Sequence, residues 1–74
     1  MSNRTYWQAE IYQGGRVIDC DFPHRERPED ALSDVRDAIN GKYATRKYIS
    51  GSAVEWKETP GDCTTNTGRF VSIE

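Results

Sequence analysis

The stretch Arg27–Gly41, RPEDALSDVRDAING, decides how this chain folds. Ala31, Leu32, Val35, Ala38 and Ile39 recur at i, i+3, i+4 and i+7, the spacing that puts apolar side chains on one stripe of an α-helix. Pro28 suits the first helical turn, where its missing N–H would have had no partner. Glu29 and Asp30 complement the positive end of the helix dipole. Asn40-Gly41 supplies a stop, with Gly41 fitted for a left-handed C-cap. The pattern predicts one helix over residues 28–40. It also sets Asp30, Asp34 and Asp37 along one flank, and like charges at that spacing repel by about 0.2–0.5 kcal/mol per pair.

The segments on either side of the helix have a different period. In Thr5–Tyr12, TYWQAEIY, the residues Trp7, Ala9 and Ile11 alternate with Tyr6, Gln8, Glu10 and Tyr12, as in a strand buried on one face. Gly14-Gly15 can take the positive φ of a tight hairpin turn, and RVIDCDF (residues 16–22) then alternates again. In this second strand Ile18, Cys20 and Phe22 are expected on the inner face, with Val17, Asp19 and Asp21 outside. Beyond the helix and the KYATRKYISGS connection, AVEWKET places Val54 and Trp56 opposite Glu55 and Lys57. PGDCTTNTG is expected to form a long loop, and RFVSIE a last strand with Val71 and Ile73 inward and Phe70 outward.

One amphipathic helix and four amphipathic strands in the order β-β-α-β-β predict an α+β fold. It is a two-layer sandwich, with the helix packed on a four-stranded antiparallel sheet and residues 1–74 forming a single domain. The helix is expected to cover a face carrying Trp7, Ile11, Ile18, Phe22, Trp56 and Val71. The other face, with Tyr6, Gln8, Glu10, Tyr12, Asp19 and Asp21, is expected to stay wet and is available to a second copy of the chain.

Composition narrows the function. Seventy-four residues bury only about 60% of the surface that their unfolded form exposes, which leaves little material for an enclosed substrate pocket. A net charge of −2 is unlike the strongly basic balance of a nucleic-acid-coating domain. The polar start MSNRTYW lacks an apolar secretion signal, and no run reaches membrane-spanning length, so a cytoplasmic protein is expected. Cys20 and Cys63 lie far apart and outside any CxxC spacing, which suggests two free thiols, Cys20 as a small buried hydrophobe.

No catalytic constellation, cofactor motif or metal-ligand spacing is legible. His24 reads as a loop histidine, and Asp19 with Asp21 as solubilising residues rather than a nuclease pair. The candidate contact residues are instead two sets. Asp30, Asp34 and Asp37 form either a solvated flank or an acidic docking edge for a basic groove on a partner. Arg46, Lys47 and Tyr48, with Lys42 and Tyr43, interleave bases with aromatic rings, either as an ordinary connection or as a nucleic-acid contact.

The hairpin YWQAEIYQGGRVIDCDF, the single helix PEDALSDVRDAING and the closing segments AVEWKE and RFVSIE together resemble the small phage-encoded anti-CRISPR proteins in size and architecture. That resemblance implies a non-enzymatic inhibitor, at work in the bacterial cytoplasm, that binds a CRISPR effector complex and blocks its nucleic-acid binding or activity. DFPHRERPEDALSDVRDAI is in addition similar to the strand-to-helix passage of HicB-type antitoxins, although the chain has no room for their separate DNA-binding segment. The expected partner is therefore a larger protein or ribonucleoprotein, with direct nucleic-acid binding or an antitoxin role as alternatives.

Overall fold

A computed structural model describes residues 4–59, 61 and 63–73. Its elements are β1 (Arg4–Gln13), β2 (Arg16–Asp19), α1 (Pro28–Asn40), β3 (Ile49–Thr59) and β4 (Cys63–Ser72). All strand pairs are antiparallel in the order β2-β1-β3-β4, and α1 lies across one face, mainly on β1 and β3. This is the expected α+β sandwich. No helix among the described residues is long and apolar enough to cross a membrane.

The helix occupies the predicted residues. Pro28 stands in its first turn, and Ala31 and Val35 are buried, with Leu32, Ala38 and Ile39 partly so. Its end differs from expectation: Gly41 has φ −115°, outside the left-handed region. The Gly41 and Tyr43 N–H groups both donate to the Ala38 carbonyl, at 3.3 and 2.9 Å, so a continuing turn closes the helix.

Trp7, Ala9 and Ile11 point at the helix as predicted, and each is buried. They pair across β1 and β3 with Glu55, Ala53 and Gly51, and residues directly opposite share a face. Close approach of the helix requires Gly51, because a Cβ there would collide with Val35 Cγ1 and stand 3.0 Å from the Glu10 carbonyl. Ala9, Ile11, Val35 and Tyr43 form one part of the core, while Trp7, Ala31 and Ala53 form the other.

The strand faces correct several expectations. β2 keeps only four residues, and its pairing slips between Ile11↔Asp19 and Tyr12↔Val17. That bulge resets the alternation, leaving Ile18 38% exposed and Cys20 exposed, while Asp19 turns inward to the Ile11 side. The chain after β2 still follows β1. Trp7 and Arg25 exchange N–H···O bonds at 2.7 Å, and Phe22 packs on the core as predicted. Trp56 was expected under the helix, yet it pairs with Tyr6 on the uncovered face, and Glu55 takes the helix side. The Glu55 carboxylate is buried there, with the Thr67 hydroxyl donating to Oε1 at 2.8 Å and Arg69 Nη1 forming an ion pair 3.8 Å from it.

β4 starts at Cys63, so most of the expected loop is strand. Pro60 and Asp62 of that loop, Glu74 of the expected last strand, and residues 1–3 lie outside the described residues. Thr67, Gly68 and Arg69 together lie opposite Glu55, a bulge that Gly68 accommodates with φ +88°. Phe70 points outward and Ile73 packs on the core, as expected. Val71 faces the helix side but stays exposed, because α1 barely reaches β4. Sheet width explains this: α1 sits over β1 and β3, so Ala53 is buried while Val71, its partner one strand further out at the edge, is left uncovered.

Candidate interaction surface

The sequence-predicted acidic row is divided by the structure. Arg25 Nε and Nη2 donate to Asp34 Oδ2 and Oδ1, both at 2.9 Å, a bidentate pair that ties the segment before the helix to α1. Asp34 holds the Arg25 guanidinium above its ordinary pKa, with a smaller contribution from Asp30. Asp34 is therefore a fastening within the fold, while Asp30 and Asp37 remain exposed on the flank. The row of carboxylates is tolerated because its middle member has a cation of its own.

The basic segment is strapped to the first hairpin. Gln13 Nε2 donates to the Lys47 carbonyl at 3.3 Å, Arg46 Nη1 to Gln13 Oε1 at 3.4 Å, and the Gly14 N–H to the Tyr48 carbonyl at 3.2 Å. Arg46 and Lys42 both stand 5.4 Å from the centre of the Tyr43 ring. Tyr48 has φ +62° and is 83% exposed, an aromatic side chain held outward in left-handed backbone. This segment follows the last turn of α1 and sits beside Gln13, whereas Asp30 lies in the first turn of α1.

The surface that the sequence only half revealed is the sheet face opposite the helix. Tyr6, Gln8, Glu10 and Tyr12 of β1 are there as predicted, and Val54 and Trp56 of β3, Phe70 of β4 and Val17 of β2 join them. His24, expected to be merely solvated, stacks on Tyr6 with ring centres 3.8 Å apart and planes 14° from parallel. Phe70 is 60% exposed and Val17 52%, and the covered indole N–H of Trp56 has no acceptor among the described residues. Burial and the Glu58 carboxylate push the Tyr6 phenol up, so the ring stays neutral and stacks as such. The alternation placed the β1 residues correctly. Trp56 was missed because its face depends on strand register, which single-strand periodicity does not contain.

On this face an open depression of about 180 Å³ is lined by Glu10, Tyr12, Val54 and Phe70, with Asn66, Gly68 and Arg69 completing it. Tyr12 Oη donates to Glu10 Oε1 at 2.7 Å and lies 3.0 Å from Ser52 Oγ. A phenol has one proton, so the Ser52 hydroxyl donates to Tyr12 and the chain of bonds runs toward Glu10. A second depression, of about 430 Å³, lies at the helix C-terminal end among Ile39, Ile49, Ile73 and Arg36. No group of three or more His, Cys, Asp or Glu among the described residues is placed to hold a metal ion. The Asp19 carboxylate is bound up locally, with the Asp21 N–H donating to Oδ1 at 3.1 Å and Tyr43 Oη to Oδ2 at 2.6 Å, while Asp21 is exposed.

Fold and surface together define a small α+β sandwich with one sheet face bare. Comparison with known proteins finds no matching family model, no matching curated protein and no matching solved structure.

Proposed function

We propose that this is a binding protein without catalytic activity of its own, which docks its bare sheet face on a larger protein or ribonucleoprotein. The observation that carries the reading is the set of aromatic and apolar side chains on that face: Phe70, 60% exposed beside Val54, Tyr6 stacked on His24 next to Trp56, and Val17, 52% exposed, at the Tyr12 end. Large apolar and aromatic side chains left open on one face of a small domain fit an interaction site, and aromatic side chains dominate the energetics of such sites. The resemblance in size and element order to the anti-CRISPR proteins supplies the partner: a bacterial CRISPR effector complex whose nucleic-acid binding or activity is blocked.

The test is interferometry of the immobilised chain against purified effector complexes. The expected result is saturable binding that falls at least tenfold in Phe70→Ser and persists in Asp30→Ala/Asp37→Ala. Binding to none of the complexes, or binding indifferent to Phe70→Ser, refutes the reading. A second reading, nucleic-acid binding, is favoured by the outward Tyr48 flanked by Arg46 and Lys47. It requires binding of single-stranded DNA or RNA that steepens as salt is lowered and weakens in Arg46→Ala/Lys47→Ala.

A further inference from the structure

We propose that the depression between Glu10 and Phe70 seats one arginine or lysine side chain of the docked protein. This rests on the sheet-face reading above and gives the partner's chemistry. The lining carries two charged residues, Glu10 and Arg69. Arg69 is directed to Glu55, with Nη1 3.8 Å from Oε1, whereas Glu10 has no ion-pair partner among the described residues. Its one described side-chain bond is the Tyr12 hydroxyl on Oε1, itself anchored by Ser52, so the carboxylate is held in place while Oε2 remains available as an acceptor. Two apolar side chains complete the seat. Val54 is 5% exposed and Phe70 largely open, a pairing suited to the methylene stem of a long basic side chain whose head reaches Glu10.

The adjoining edge favours this mode over strand addition. At the β4 bulge the Gly68 N–H donates to Asn66 Oδ1 at 2.8 Å and the Arg69 N–H to Thr67 Oγ1 at 3.3 Å. Those amides are capped from within the chain and are not free to pair with an incoming strand. A volume of about 180 Å³ accommodates one long side chain. The uncompensated carboxylate selects a cation and disfavours phosphate, which separates this seat from a nucleic-acid contact.

The experiment is an NMR titration of the full chain with N-acetyl-arginine N-methylamide, using the citrulline isostere, which has the same shape without the charge, as control. Saturable shifts confined to Glu10, Tyr12, Val54 and Phe70 are expected for arginine, weaker by about tenfold or more for citrulline and in Glu10→Gln. Equal responses to arginine and citrulline, an unchanged response in Glu10→Gln, or no localised shifts overturn the seat. Glu10→Gln replaces a half-buried carboxylate with its own isostere, and retention of the remaining amide spectrum verifies its fold. The two readings fail separately. An effector complex bound equally well by Glu10→Lys and the parent overturns the seat and leaves sheet-face docking intact. An arginine-specific titration without effector binding supports the seat and refutes the CRISPR partner.

Discussion

Tyr43 reaches from the turn after the helix to the end of β2, and its hydroxyl holds the Asp19 carboxyl below its ordinary value of 3.8. The Tyr43 bond is the largest cause; the Asp21 N–H and Lys42 add to it, and burial opposes it. A carboxylate with a depressed folded-state pKa contributes stability above its unfolded value and loses it as pH falls through the folded one. Tyr43→Phe is therefore expected to melt below the parent at neutral pH. The gap should narrow as the pH drops through the carboxylate range, because protonated Asp19 no longer distinguishes the two chains. Thermal melts across that range check this, and a gap independent of pH would place the effect in ring packing. Tyr48 gives the opposite expectation. Left-handed backbone at a residue with a Cβ costs about 1–2 kcal/mol, and asparagine tolerates it better than tyrosine. Since the Tyr48 ring is mostly in solvent, Tyr48→Asn should raise stability by about 0.5–1 kcal/mol in urea unfolding. A loss would mean that the ring is packed.

At the scale of elements, the helix was legible because its stripe, its proline and its acidic first turn all lie within the 13 residues that form it. β1 was legible for the same reason: one face is covered by the helix, and the period of two is clean. The second strand misled because a bulge inserts Ile18 and shifts Asp19 to the inside, and a bulge is a property of two strands, not of one. Trp56 and Glu55 misled because composition favours the indole inside, whereas register placed the carboxylate there and the Thr67 hydroxyl made that arrangement tolerable. In the same way the docking face was half legible: its β1 residues followed from alternation, but the depression needs Glu10, Val54 and Phe70 from three different strands. The contact between helix and β3 rests on Gly51, which the sequence offers only as a glycine in a mixed connection. Gly51→Ala forces α1 away from the sheet at Val35 and is expected to cost about 1–3 kcal/mol, measured by urea denaturation. An unchanged midpoint would show that the helix rides higher on the sheet than described.

Across the whole molecule, stability and recognition lie on opposite faces of one sheet. At about 0.05–0.15 kcal/mol per residue, 74 residues yield roughly 4–11 kcal/mol of total stability. Ile11 is fully buried between sheet and helix, and truncating a buried isoleucine to alanine removes about 2–5 kcal/mol. Ile11→Ala is thus expected to lose a large fraction of the total and to bind poorly only to the extent that it unfolds. Phe70 lies on the bare face with most of its ring in solvent, where a substitution changes stability by about 0.5 kcal/mol or less. Phe70→Ser should therefore keep the parental urea midpoint while losing the partner. The pair of variants, read by denaturation and by interferometry at a temperature where both chains are folded, separates the two faces. Parental binding by Phe70→Ser together with weakened binding by fully folded Ile11→Ala would move the docking surface to the helix side, where Asp30 and Asp37 stand exposed.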